Sequence, residues 1–239
     1  MRAWLVVPAL LAVLATLAPA PVAAQAPSAG AFQLPLPSWE PHCLGFGSEW
    51  RYCDGTVIRA CPGGGIWLHT GTDVRTGIQP VLAAADGEIA GYTVDPTFRG
   101  GVLIRHQVPG LGTVLTQYWH VWPRPGFGPG TLVARGQEFA DVADMGPRTH
   151  LHFAVYVGEL DANVWRGALP PAACSGFPAF PSRFVDPTRF VLDHQPIGSL
   201  RGDHPLPQPE PACQRPDPVD RDDGIILSVC RLGPRGRAC

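Results

Sequence analysis

Apolar residues between positions 65 and 156 fall in short runs broken by Gly and Pro, the punctuation of strands rather than of helices. The clearest run is His150 to Val157. Its odd positions Leu151, Phe153, Val155 and Val157 are apolar, and its even positions are His150, His152, Ala154 and Tyr156. Period-two alternation predicts a strand with one face in the core and two histidines on the other. Residues 102–106 (VLIRH) and 113–118 (TVLTQY) flank the turn sequence Pro109-Gly110-Leu111-Gly112, which predicts a hairpin. The pattern is that of a mainly β protein without internal repeats.

Outside this region the periodicity fades. Residues 25–38 are small and proline-rich and are predicted to be mobile, and 39–61 reads as a Cys- and aromatic-bearing stretch held by staples. Residues 158–193 form a Pro- and aromatic-rich excursion that ends in Val185-Asp186-Pro187. Residues 196–218 have linker composition, and 224–232 could add one short terminal strand. At the start, Met1-Arg2 precedes an apolar run and the small-residue stretch Pro21-Val22-Ala23-Ala24. This predicts a secretory signal peptide cut after Ala24, too short in its apolar part to serve as a membrane anchor.

Composition narrows the function classes. The 18 basic residues, all Arg, face 20 acidic ones, so no cationic excess exists to neutralise phosphates and a nucleic-acid partner is disfavoured. An apolar content of 45% argues against disorder. All seven cysteines (43, 53, 61, 174, 213, 230 and 239) lie after the cleavage point, which in an exported chain predicts disulfides, with one thiol left over. No Cys-x2-Cys pair is present, so a zinc-finger site is set aside.

Two motifs carry chemistry. His69-Thr70-Gly71-Thr72-Asp73 is an H-x3-D and His150-Leu151-His152 an H-x-H. Positions i and i+2 of a strand share a face, so H-x-H aims two imidazoles into one groove. Gly71 between two threonines favours an extended or turning segment over a helix for H-x3-D. Three such ligands with a fourth position open would suit a catalytic zinc. Each motif is weak alone. A further histidine, His120, follows Tyr118-Trp119 in a strand, where its alternation with Thr116 and Tyr118 sets it opposite Leu115 and Trp119.

These stretches together resemble the lysostaphin/LytM-type peptidoglycan metalloendopeptidases. The resemblance rests on 65–74 (GIWLHTGTDV), 79–89 (QPVLAAADGEI), 101–106, 117–121 (QYWHV), Gly136-Gln137, 150–155 (HLHFAV) and Val185-Asp186-Pro187, in order. It implies an antiparallel β-sheet core with long loops, of the duplicated-hybrid-motif type. One Zn²⁺ per chain would be bound by His69, Asp73 and His152, with His120 and His150 as the catalytic histidines. The implied activity is hydrolysis of peptide cross-links in peptidoglycan by a zinc-activated water, in an exported, periplasmic or secreted protein without a stable membrane anchor. With the resemblance covering roughly residues 65–190, the chain is expected to divide into the signal peptide (1–24), an N-terminal Cys-containing segment (25–62), a zinc metallopeptidase domain (63–193) and a Pro-rich, Cys-containing tail (194–239). His106 is expected to be structural, and His42, His194 and His204 to be solvated.

Some positions depart from the family pattern. The usual Glu after H-L-H-F is Ala154, and a bulky Trp119 stands where small residues are common. No H-E-x-x-H is present to supply a helix-borne Glu base. The competing reading is a catalytically silent domain of the same fold that binds peptidoglycan or activates a wall hydrolase. Retention of all three ligands and both histidines weighs against it. Other H-x-H metalloproteins fail on spacing.

Overall fold

In a computed structural model of the chain, residues 28–52, 54–160 and 179–196 are described, together with the backbone of 168–169. The sites of the signal peptide, the Pro-rich tail beyond residue 196, the expected 224–232 strand and His204 lie outside the described residues.

The fold is mainly antiparallel β. Its strands are β1 (Leu68–His69), β2 (Thr72–Arg75), β3 (Pro80–Leu82), β4 (Gly87–Asp95), β5 (Arg99–Val108), β6 (Gly112–Pro123), β7 (Leu132–Val133), β8 (Glu138–Val142), β9 (His150–Val157), β10 (Ala168–Leu169) and β11 (Phe184–Val185), followed by one helix, α1 (Pro187–Asp193). The main sheet runs β11-β9-β6-β5-β4-β7, with β2 also on β9 and β8 joining β6 to β3. The expected hairpin is β5–β6, with Val102 opposite Tyr118 and His106 opposite Val114. Asp186 caps α1 by accepting from the Arg189 N–H, and Pro187 follows as its first residue.

Both faces of the sheet are covered. Phe32, Ile104, Tyr118, Phe139, Leu151, Phe153 and Val155 form the larger core with Phe190 and Val191 of α1. Leu103, Leu115, Ala154, Tyr156 and Phe184 pack on the other side. The β9 face that carries His150 and His152 continues as apolar Ala154 and Tyr156.

The N-terminal stretch departs from its expected mobility. Ala29, Phe32 and Leu36 are buried in the larger core, and the backbone N–H groups of Ala29, Phe32 and Gln33 donate to Gln107, His194 and Ala84. Three apolar side chains in a small-residue segment suffice to bind it down. His194 is likewise packed rather than solvated. Its ring stacks on Phe190 at 4.1 Å and meets Phe32 edge-on.

A polar chain runs through the larger core. The Asp86 carbonyl lies 2.9 Å from His106 Nδ1, and His106 Nε2 lies 2.7 Å from the Thr116 hydroxyl. That hydroxyl is 3.1 Å from the Tyr118 hydroxyl, which accepts from the Ala84 N–H. Burial brings the His106 pKa down to about 4, so the ring is neutral. It is a structural histidine.

Candidate metal centre

The site is assembled from three elements. Strands β2 and β9 pair with Asp73 directly opposite His152, and directly opposed residues of an antiparallel pair share a face. His69 closes β1, and the chain bends at Thr70 and Gly71 before β2 begins, so H-x3-D is a turning segment and not a helical turn. The bend approaches β9 so closely that a Cβ on Gly71 would lie 2.3 Å from the Phe153 carbonyl oxygen and 2.9 Å from His152 Nε2. Only glycine fits between the two motifs.

Three ligand atoms converge. His152 Nδ1 is 2.8 Å from His69 Nε2 and 3.1 Å from Asp73 Oδ1, and His69 Nε2 is 3.2 Å from the same carboxylate oxygen. Metal bonds of about 2.0–2.1 Å in tetrahedral geometry require ligand separations near 3.3 Å, which this triangle approaches. All three residues are buried, and they are the metal-capable group among the described residues. The donor set of two imidazole nitrogens and one carboxylate suits zinc.

Electrostatics keeps the donors in ligating form. Burial alone would raise the Asp73 pKa, but His69 and His150 and hydrogen bonds from His152 and His69 hold it well below the usual carboxylate range. Burial takes His152 down to about 4, against the pull of Asp73. An anionic carboxylate beside a neutral His152 imidazole is what a divalent cation requires. The Gly45 carbonyl lies 3.1 Å from His69 Nδ1, so that nitrogen donates and Nε2 keeps its lone pair toward the centre.

His120 and His150 stand beside this triangle, with ring centroids 4.3 Å apart. His150 Nδ1 is 2.6 Å from the Arg148 carbonyl, and its Nε2 is 3.4 Å from Asp73 Oδ2. His120 Nδ1 is 2.9 Å from the Phe98 carbonyl. Burial, then the neighbouring His150, holds the His120 pKa well below its ordinary value. Each ring uses Nδ1 on a backbone carbonyl, which leaves Nε2 for chemistry.

His120 reaches the site against the expected alternation. Thr116 and Tyr118 point into the larger core, and strict alternation would send His120 there too, away from His152. Instead the β5–β6 register shifts, with Trp119 opposite Gly101 and Val121 opposite Gly100. His120 is the extra residue of this bulge, at φ 65°, and the irregularity turns its ring to the other side. Trp119, directly opposite His152, lies buried over Gly101, where a Cβ would meet its ring at 2.9 Å.

The segment ahead of the motifs also belongs to the site. The backbone N–H groups of Gly47, His42 and Asp73 donate to His69, Asp73 and Leu44, so residues 42–48 run alongside β1 and β2. His42, expected to be solvated, is half-buried and faces His150 nearly parallel at 6.5 Å. The roles of Gly45, Phe98 and Arg148 are carried by backbone carbonyls, which leave no residue-type signal in a sequence.

No family model and no curated protein matches the chain. Solved structures do. A zinc-containing peptidase from Vibrio cholerae aligns with 52% of this chain and 36% of its own at 27% identity, with a TM-score of 0.39. Helicobacter pylori Csd3 aligns with 55% and 33% at 21% identity and a TM-score of 0.39. The catalytic domain of the antimicrobial peptidase lysostaphin from Staphylococcus simulans aligns with 62% and 89% at 22% identity and a TM-score of 0.40. The chain thus spans about a third of the length of the first two. Lysostaphin is of the type that the motifs resemble.

Proposed function

We propose that this chain is an exported zinc metalloendopeptidase of the lysostaphin/LytM type that hydrolyses peptide bonds in bacterial peptidoglycan. The observation that carries this reading is the convergence of His69 Nε2, Asp73 Oδ1 and His152 Nδ1 within 3.2 Å of one another, with two non-ligand histidines alongside.

His69, Asp73 and His152 would hold the zinc, which when bound supplies a Lewis acid for the scissile carbonyl and acidifies water at neutral pH. His120 and His150 then handle the proton. Each keeps Nε2 available to orient a water, accept its proton and return it to the leaving amine. His150 Nε2 lies 3.4 Å from Asp73 Oδ2. His150 is the more exposed of the two, with 19% of its side chain open, and so sits at the mouth of the site.

Attachment to an anionic wall cannot rest on bulk charge, because the net charge is only −2. Recognition falls to the groove around the histidines. Export carries with it disulfides among the seven cysteines, the buried Cys43 and Cys61 included. Among the described residues no helix is long and apolar enough to cross a membrane.

The test is to measure zinc content and peptide release from purified sacculi for residues 25–239 and two variants. The wild type is expected to bind one zinc and release peptides. His152→Ala is expected to lose both, and His150→Ala to keep zinc while losing turnover. A fully loaded wild type that releases no more than His152→Ala would replace the enzyme by a silent binding or activating domain. Equal zinc loss in both variants would overturn the division between ligand and catalytic histidine.

A further inference from the structure

Gln117 of β6 is 1% exposed, and among the described residues neither its amide oxygen nor its amide nitrogen has a hydrogen-bond partner. It lies on the face of the sheet that carries the metal centre. Across the β6–β9 pairing it faces Ala154, while Trp119 faces His152, so Gln117 and His152 are diagonal neighbours on one face. Such neighbours are about 7–8 Å apart, within the span of a long side chain. A Cβ placed on Gly71 would lie 2.9 Å from both His152 Nε2 and the Ala154 methyl, so Nε2 points to the neighbourhood of the residue that Gln117 faces.

His152 has the complementary vacancy. Its Nδ1 points to His69 and Asp73, and its Nε2 is buried without a partner among the described residues. A neutral imidazole that gives the lone pair of Nδ1 to a metal carries its proton on Nε2, and ligating histidines nearly always donate that proton to an acceptor. Gln117 brings an amide oxygen that lacks a donor to the same buried face.

We propose that Gln117 is a positioning residue of the metal centre, its amide oxygen accepting from His152 Nε2–H and so fixing the tautomer that turns Nδ1 to the metal. This rests on the zinc reading above and assigns it an outer partner on β6. Gln117 touches no reacting atom in this role; it acts through His152.

The test is zinc affinity of the full chain, measured by chelator competition, together with the Tm of the zinc-free protein. Gln117→Leu is expected to weaken zinc binding about 10- to 100-fold. It should leave the zinc-free Tm unchanged or raised, because it removes two unpaired polar atoms from the interior. Gln117→Glu, which keeps an acceptor at the same reach, is expected to bind zinc at least about tenfold more tightly than Gln117→Leu. Zinc affinity of Gln117→Leu equal to wild type overturns the assignment. So does a fall in zinc-free Tm that accompanies the affinity loss, or a Glu variant no better than Leu. If the wild type takes up no more zinc than His152→Ala, the zinc reading itself fails and this role fails with it. Wild-type zinc uptake with an unaffected Leu variant removes Gln117 alone.

Discussion

His120 holds a backbone conformation that side-chain-bearing residues usually avoid. At φ 65° it sits in the left-handed region, where strain is of order 1–3 kcal/mol and persists only when the surroundings enforce it. Two hydrogen bonds enforce it here: the Ala143 N–H donates to the His120 carbonyl, and His120 Nδ1 donates to the Phe98 carbonyl. A prediction follows from comparing two truncations. In an ordinary strand Ala is more stable than Gly by roughly 0.5–1 kcal/mol. At position 120 the order is expected to reverse, with His120→Gly more stable than His120→Ala by about 1 kcal/mol. Both should lose activity about 10²- to 10⁴-fold. Urea midpoints measure the first and sacculus digestion the second; an Ala variant more stable than the Gly variant would mean that the bulge relaxes. This is also where sequence legibility ended for single residues. H-x3-D and H-x-H named four side chains that the fold brings together, yet the route of His120 to them depends on one extra residue in a ladder. Alternation counting cannot register that extra residue.

The elements show a similar division. Strand β9 and the β5–β6 hairpin were legible because alternation and a Pro-Gly turn are local properties of the chain. The pairing of β2 with β9, which sets Asp73 against His152, is long-range and had no local signature. Nor had the 28–50 segment, whose Pro-rich start read as mobile and whose remainder read as a stapled Cys- and aromatic-bearing stretch. Its role emerges only from the Gly45 carbonyl behind His69 and the pairing of 42–48 with β1 and β2. The tightest joint among these elements is Gly71. Gly71→Ala would place its methyl against the Phe153 carbonyl, which is backbone and cannot swing aside, and against the ring of His152. The β1–β2 bend would therefore have to move away from β9. The expected cost is about 1–3 kcal/mol of stability, as for overpacking in a core. Zinc affinity should fall further than stability alone explains, since the displaced bend carries His69. Thermal unfolding of the zinc-free protein and chelator competition separate the two effects. Wild-type zinc affinity in Gly71→Ala would show that the bend does not set the ligand triangle.

At the scale of the whole molecule, the interior holds several imidazoles that the fold keeps neutral, and this couples stability to pH. Burial lowers His106 and His152 to about 4 in the folded state, from 6.5 in an exposed chain. Between those values the unfolded chain binds protons that the folded protein refuses, so unfolding takes up protons and stability falls as pH falls. Each group contributes a slope of about 1.4 kcal/mol per pH unit within the window. By pH 4.5 the two together remove roughly 5 kcal/mol, comparable with the entire stability of a small domain. His120 shifts in the same direction, also chiefly through burial. Asp73 works at lower pH: its carboxyl is held below 3.8, so its contribution is lost only on acidification beyond this window. His106 isolates the effect from the metal centre, since its partners are Asp86 and Thr116 in the larger core. Urea midpoints of the zinc-free protein are expected to fall steeply from pH 6.5 to pH 4. His106→Gln, less stable at pH 7 because it gives up the ring's fit, should lose about 1.4 kcal/mol per pH unit of that slope. An unchanged slope would remove His106 from the account. Zinc adds a further term of known sign. A ligating His152 cannot take a proton without releasing the metal, and in the folded protein it takes one only near pH 4, so zinc should stabilise fully above that pH and contribute progressively less as pH falls through it. Curves with and without zinc should therefore stay apart from pH 7 to about pH 5 and converge below pH 4. Curves that stay equally far apart below pH 4 would mean that the ion binds somewhere other than the histidines.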